Sequence, residues 1–532
     1  MTATGPDTSA AEDPSAPAAP HLFSPPAART QGSIALLWDK PPAWQHVDRY
    51  ELLLDGKLVG STSATDYTAR DLAPGRMYSA CVRAVLRGGA VSAHSEPVRV
   101  STAAAGAVLE VTAFGAIGDG ETLNTAAIQT AVDSCPPGGT VRVPRGVFRT
   151  GALFLKSDMT LLVDEGGVVL GSGDPADYPE VLCRWEGREV PSYASLVNAG
   201  TLGGPPLVNV TIAGRGTIDA SGSLLRPREL AEAVGAPGRA LAFRNVEGVY
   251  LLDVTVRHSP AWCVHFIYCD GVSVNHVQVH TKYDADGIPY PGIVNGDGIN
   301  PDSSSHVYLF DTLIASQDDC IAVKSGCGTD GRRVNRPSEN IRITNCRFRS
   351  GFGVAIGSEM SGGVRNVLVR DCTFEGVYSL ASVKAPRGRG SVVENVRFED
   401  ITYTNHSPEH TDGKWFRGAV NIDQFYSHDL VDARTKAGLD ESTPAVRDVT
   451  FRRITLETVA GNAIHLTGLP ERSLENIRLI DICAVGRYGL KATHVTGLLL
   501  ENVDVRSRED ADYVLRDVTE LTVAPRDAGR DH

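Results

Sequence analysis

The chain has no CxxC pair and no Cys/His spacing of the zinc kind among its 10 cysteines, so neither a small disulfide scaffold nor a zinc module is written into it. Ten thiols in 532 residues read instead as mostly buried side chains. No run approaches the roughly 20 apolar residues that a membrane-crossing helix requires. Excess positive charge is also missing: 51 Lys and Arg stand against 64 Asp and Glu, a formal net charge of −13. That balance speaks against a phosphate-backbone partner such as nucleic acid. His258, His265, His276 and His280 form no HExxH or comparable ligand pattern, so they read as satisfied turn or core residues, and no metal or other cofactor is expected. The opening MTATGPDTSAAEDPSAPAAP has neither a basic n-region nor an apolar h-region. A cytoplasmic location is therefore the expectation, with a secreted or periplasmic one as the alternative.

What is present is length and repetition. A chain of 532 residues exceeds one ordinary compact core and calls for several domains or one extended repetitive architecture. Residues 1–20, rich in Ala, Pro, Ser and Thr, cannot bury enough apolar surface to offset chain entropy and read as a disordered tail, with a second tail at 525–532. From 21 to 103 the pattern is strand-like: IALLW ending at Trp38, YELLLDGKLVG with its Asp55-Gly56 turn, and MYSACVRAV after Pro74-Gly75. The Trp38, Tyr50, Leu72, Gly75 and Tyr78 pattern resembles a fibronectin type III domain, a small β-sandwich with Trp and Tyr in its core. A spacer or packing role is the expectation for it.

After Ala103-Ala104-Ala105-Gly106 the character changes. NTAAIQTAVDSC has a 3.6-residue apolar period and reads as one short helix. From there to about Val523 one theme recurs: a short Val/Ile/Leu alternation, an Asn or Asp, a second alternation and a Gly-rich turn. Equivalent positions Val249, Val272, Val307, Ile341, Val367 and Val396 lie 23, 35, 34, 26 and 29 residues apart. Uneven periods with β-branched residues at every coil predict a solenoid of short strands with almost no helix between them. The fold class is thus all-β, a right-handed parallel β-helix over 107–524, with the early helix capping an open end of the stack.

Coils in such a stack lie about 4.8 Å apart, which converts sequence spacing into site geometry. Aligning inward aliphatics puts Asp297-Gly298-Ile299-Asn300 beside Asp319-Cys320-Ile321-Ala322, and that beside Phe352-Gly353-Val354-Ala355. Asp297 and Asp319 then share a column, and Asp318 precedes Asp319 directly. Three carboxylates so close cannot all stay ionised without cost, and at least one pKa is expected to rise. An isolated Asp-Asp pair is a common turn feature; three motifs in order on successive coils are not. Cys346 and Cys372, at matching positions of adjacent coils, fit an inward thiol ladder.

With these motifs the stretch 107–524 resembles glycoside hydrolase family 28, the polygalacturonases. The segments AFGAIGDGETLNTAAIQTAV, SPAWCVHFIYCDGV and GDGINPDSS are most similar to its exo-acting bacterial branch, some members of which carry a fibronectin type III domain in front. The resemblance implies a pectin-lyase-like solenoid and an inverting hydrolase of pectic, galacturonate-containing oligo- or polysaccharides. Asp318 would be the acid and Asp297 with Asp319 the water-activating pair, an arrangement that needs acid and base roughly 6.5–9.5 Å apart. Asn295 and Lys384 take family positions for contacting substrate. Tyr426 resembles a family tyrosine near the sugar, with a core tyrosine as the alternative.

Two positions depart from the family. Its Gly-His-Gly is Gly351-Phe352-Gly353 here, and its Arg-x-Lys is Ser382-Val383-Lys384. Phe352 is expected either to stack on a sugar face or to fill its column. Ser cannot replace a bidentate Arg on a uronate carboxylate. Arg387 and Arg389 lie close enough in sequence to substitute, but read more simply as a solvated basic loop. A rhamnose-containing or neutral glycan substrate, a polysaccharide lyase and a glycan-binding pseudoenzyme are the competing readings. Nothing in the sequence fixes the oligomeric state.

Overall fold

The computed structural model describes residues 18–41, 44–232, 235–284, 286–407, 417–426 and 435–525. The chain divides into two compact units, meeting in sequence at Ala105 and Gly106. The first is a small β domain. His21–Phe23, Ile34–Asp39 and Asp66–Ala69 form one antiparallel sheet, and Lys57–Thr62, Val47–Leu54, Met77–Leu86 and Val98–Ser101 form another. Its core holds Trp38 and Tyr50, edge to face at 5.4 Å. The Tyr78 hydroxyl accepts a hydrogen bond from the Ala73 amide at 3.0 Å and fixes the corner before its strand. These features are compatible with a fibronectin type III-like sandwich. The two tail readings fall mostly outside the described residues, which begin at 18 and end at 525.

In the second unit, strands from Val108–Glu110 to Thr522–Ala524 make a parallel β-helix with three faces. On the first face, Val249 pairs in turn with Val272, Val307, Ile341, Val367 and Val396, so the unequal sequence periods become one straight inward column. Loops of different length absorb the differences. The recurrent Asn and Asp have a backbone reason. Asn340, Asn366 and Asn395 all sit at φ between 51° and 56°, where a short polar side chain is tolerated. Their amides also form a ladder, Asn366 Nδ2 donating to Asn340 Oδ1 at 3.0 Å and Asn395 Nδ2 to Asn366 Oδ1 at 2.7 Å. Inside, Phe348 stacks on Phe374 at 4.4 Å and Phe398 on Phe451 at 5.3 Å.

Helix Thr125–Ser134 buries Ile128, Ala131 and Val132 in the solenoid core at its N-terminal end. Two further helices, Gly222–Glu232 and Gly328–Val334, and an antiparallel hairpin of Glu180–Trp185 with Arg188–Tyr193 interrupt the coils. The repeat pattern did not anticipate them, because they are insertions between rungs rather than part of any rung. All ten cysteines are free thiols and eight are buried.

The third face carries the site. Its inward column runs Val264, Ile299, Ile321, Val354, Ala381, Val420 and Ile464. At the corner entering this face Cys320 and Ile321 both lie in the core, so the alternation slips by one. That slip turns Asp319 outward on the same surface as Ala322 and Lys324. Gly298 occupies the matching corner one rung earlier, where a Cβ would lie 2.4 Å from the Cys320 carbonyl. Only glycine lets the two rungs stack this closely.

Candidate active site

Asn295, Asp297, Asp318, Asp319, Lys384 and Tyr426 line one cavity of about 470 Å³ on the third face. Trp185, Arg188, Trp262, Lys324, Glu359 and Arg389 complete its principal walls. The three carboxylates come from two adjacent rungs. Asp297 is 3% exposed and Asp319 4% exposed, whereas Asp318 is only half-buried and presents itself to the cavity.

Their partners differ in kind. Lys384 Nζ lies 2.8 Å from both oxygens of Asp319, a buried two-pronged salt bridge. Asp297 accepts a hydrogen bond from Asn300 Nδ2 at 2.8 Å and has Lys324 Nζ at 3.9 Å. Asp318 has no lysine or arginine within ion-pair distance among the described residues; its Oδ1 accepts the Asp319 amide at 2.9 Å. Burial raises the pKa of Asp297 well above the ordinary carboxylate range, and the charges of Asp318 and Asp319 add to it against Lys324 and Asn300. Burial and then the charge of Asp319 likewise raise Asp318. The expected elevation therefore falls on these two coupled groups, which share protons as a pair. Burial works against the charge on Lys324 and Lys384, yet their acidic neighbours overcome it and both lie above the usual lysine value. Lys324 is held between Glu359 at 2.9 Å and the face of Trp262 at 4.8 Å.

The other residues read from sequence divide. Tyr426 stands at the cavity wall rather than in the core, its ring 5.4 Å from Lys384 Nζ. Phe352 pairs in register with Asp319 and is half-buried, but is not among the cavity lining; its ring stacks on Tyr378 at 4.6 Å. It packs beside Lys384 Nζ at 5.4 Å. Ser382 is 3% exposed beneath Asn421, whose Nδ2 donates to its hydroxyl at 3.3 Å.

The solvated reading of the APRGRG loop is overturned. Arg387 is tied to Glu471 by contacts of 2.5 and 2.8 Å, and Arg389 reaches into the cavity with its Nε on the Ser358 carbonyl at 2.7 Å. A loop packed against neighbouring rungs, rather than projecting from them, is what places it there. Lys324 and Lys384 were accessible to sequence reasoning through strand alternation, since each follows an inward Val. Trp185 and Arg188 come from an insertion that no repeat could register, whereas Trp262 lies in the SPAWCVHFIYCDGV segment at the start of its rung.

The hairpin walls off one side of the cavity. Trp185 stacks on Trp262 at 4.6 Å, and the Cys327 amide donates to the Gly187 carbonyl at 3.1 Å. Arg184, 3% exposed, anchors the hairpin with Nη1 2.6 Å from Asp302 Oδ1 and 3.0 Å from the Ser303 hydroxyl. His265 lies 3.3 Å from the other Asp302 oxygen. Burial opposes the charge of Asp302, but Arg184 and His265 outweigh it and bring the pKa down to about 2. No group of three or more His, Cys, Asp or Glu able to hold a metal ion occurs among the described residues.

A family model described as "Glycosyl hydrolases family 28" matches residues 199–498, a span that contains all three carboxylates, Lys324 and Lys384. The chain belongs to glycosyl hydrolases family 28. Family 28 relatives include an exo-poly-alpha-D-galacturonosidase of Dickeya chrysanthemi, 30% identical over 412 residues that cover 64% of this chain and 67% of that protein. A probable polygalacturonase of Vitis vinifera is 30% identical over 57% of this chain and 65% of its own length. The chain thus spans about two thirds of these relatives. Among solved structures, the family 28 exopolygalacturonase of Yersinia enterocolitica shares the fold at a TM-score of 0.79, with 23% identity over 94% of this chain and 99% of that one. As a family 28 member the chain is a glycoside hydrolase.

Proposed function

We propose that the chain hydrolyses galacturonate-containing glycans from a chain end, with inversion at the anomeric carbon. The observation that carries this reading is the cavity itself: besides Lys324 and Lys384, which are paired to Glu359 and Asp319, it is lined by Arg188 and Arg389, neither ion-paired to a carboxylate among the described residues. A neutral sugar has no use for two such arginines, whereas a polyuronate presents one carboxylate per residue. Arg389 offers the planar cation that Ser382 does not.

Asp318 acts as the acid. Of the three carboxylates it alone faces the cavity half-exposed without a lysine beside it, and its raised pKa favours the protonated form, so it is the one placed to pass a proton to the glycosidic oxygen. Asp319, salt-bridged to Lys384, and Asp297, hydrogen-bonded by Asn300, hold and deprotonate the attacking water. Water then attacks the face opposite the departing oxygen, the C–O bond to the leaving sugar breaks, and that sugar leaves carrying the proton of Asp318. Lys384 keeps the charge of Asp319 in place as positive charge develops on the ring.

Attack at a chain end follows from the hairpin. With Trp185, Arg188 and Trp262 closing one side, a polymer enters the cavity by its terminus rather than lying across it. Incubation with polygalacturonate tests the reading. Early release of mono- or digalacturonate, with slow loss of viscosity, supports it. Rapid loss of viscosity, an unsaturated product absorbing in the ultraviolet, or cleavage of neutral glycans alone would refute it.

A further inference from the structure

A second cavity, of about 340 Å³, opens on the same third face toward the C-terminal end of the solenoid. His465 pairs in register with Asn421 on one side and Lys491 on the other, and Asn421 pairs with Ser382. The His465 rung is four rungs beyond that of Asp319, roughly 19 Å along the stack. Ser382 and Asn421, which lie between, are each 3% exposed, so this cavity is separate from the catalytic one.

Its walls are cationic and aromatic: Arg417, Lys491, Arg516 and Tyr488, with Asp510 the one carboxylate among them. Arg417 leans on Asp423 at 3.6 Å, while Lys491 and Arg516 have no ion-pair partner among the described residues. A further polar wall is His465, 7% exposed. Its Nε2 shares a 2.9 Å hydrogen bond with the Thr467 hydroxyl, and its Nδ1 has no partner among the described residues. Burial, with the charges of Lys491 and Arg417, pushes its pKa down to about 3, so the ring is neutral. Whichever tautomer the neutral ring takes, Nδ1 is left as a donor or an acceptor to be satisfied. The cavity therefore combines a buried ring nitrogen lacking a partner, two unneutralised cations and a tyrosine ring.

We propose that this cavity is a second glycan site that binds a carboxylated sugar unit, Lys491 and Arg516 taking the carboxylate and His465 Nδ1 hydrogen-bonding a sugar hydroxyl. The need for an anion comes from the cavity; the choice of a hexuronate rests on the proposed substrate. A site of this kind would hold the enzyme on its polymer while the catalytic cavity works at a chain end.

The test uses the full chain carrying Asp318→Asn, so that ligand is not consumed, titrated calorimetrically with hexagalacturonate. Two binding events are expected. Adding Lys491→Met with Arg516→Met should weaken one of them by about tenfold to a hundredfold and leave the other unchanged. Lys491 and Arg516 are not buried, so folding is retained, and an unchanged thermal midpoint verifies it. The fully methyl-esterified hexamer and inorganic phosphate serve as comparators. A single binding event, or two that the double substitution leaves alone, overturns the proposal. Equal binding of the methyl ester overturns it by showing that charge is not read, and occupancy by phosphate in preference to the sugar overturns it as a glycan site. Failure of the catalytic reading shows separately, as an unsubstituted enzyme that does not cleave digalacturonate, a ligand too short to span both cavities.

Discussion

Asp318→Asn separates a catalytic role from a structural one. The amide keeps the shape of the side chain, and its oxygen still accepts the Asp319 amide hydrogen bond seen at 2.9 Å. What disappears is a proton donor and a like charge beside Asp297 and Asp319. Loss of a positioned general acid costs about 10²–10⁴-fold in kcat. Stability should move the other way. The pKa values of Asp297 and Asp318 are raised in the folded chain. Such groups stabilise the fold fully only below the ordinary carboxylate value, near 3.8, and that contribution is lost as pH rises through their folded values. Removing Asp318 relieves this loss, by about 1.4 kcal/mol for each unit of elevation removed. The variant should therefore gain on the native chain in thermal midpoint between about pH 4 and pH 7, and match it at more acid pH. Reducing-end release measures the activity, scanning calorimetry the stability. An aryl galacturonide with a good leaving group sharpens the test: it needs little protonation, so Asp318→Asn should slow it far less than the natural linkage. Activity within tenfold of native, or equal losses on both substrates, would refute the acid assignment.

Lys384→Met strands the Asp319 carboxylate, 4% exposed, without its counterion, and should cost about 3–5 kcal/mol in thermal or denaturant unfolding together with most of kcat. Arg184→Met does the same to Asp302 beneath the hairpin; products from polygalacturonate should lengthen from mono- and digalacturonate to larger oligomers as that wall loosens, and an unchanged product profile would show that the hairpin does not enforce attack at chain ends. Ser382→Arg, which restores the family arginine, should not raise activity on galacturonides. Ser382 is buried under Asn421, and overpacking there costs about 1–3 kcal/mol. A gain in kcat/KM would show that the rung can open to admit the guanidinium.

The solenoid was legible because each coil repeats the same local physics. The Val249-to-Val396 column appears in register as the spacing predicts, and the αL turn positions explain why Asn and Asp punctuate every coil. The same alignment brought Asp297 beside Asp319, because Ile299 and Ile321 pair on the third face. What escaped lies outside the repeat. The hairpin bearing Trp185 and Arg188 is an insertion whose docking depends on the distant pair Arg184 and Asp302, 118 residues apart in sequence. Arg389 escaped for the opposite reason: local composition suggested solvent, and only tertiary packing against Ser358 turns it inward. Lys324 is intermediate. Its alternation with Val323 points it outward, but its partner Glu359 comes from the loop of a later coil.

The most direct test of the central claim, that Asp297, Asp318 and Asp319 together drive a single inverting displacement, is proton NMR of the first sugar released from α-linked polygalacturonate. The mechanism predicts that the β-anomer appears first and that the α-anomer grows in only by mutarotation. First appearance of the α-anomer would mean retention through a covalent intermediate and would contradict the assignment of roles to these carboxylates.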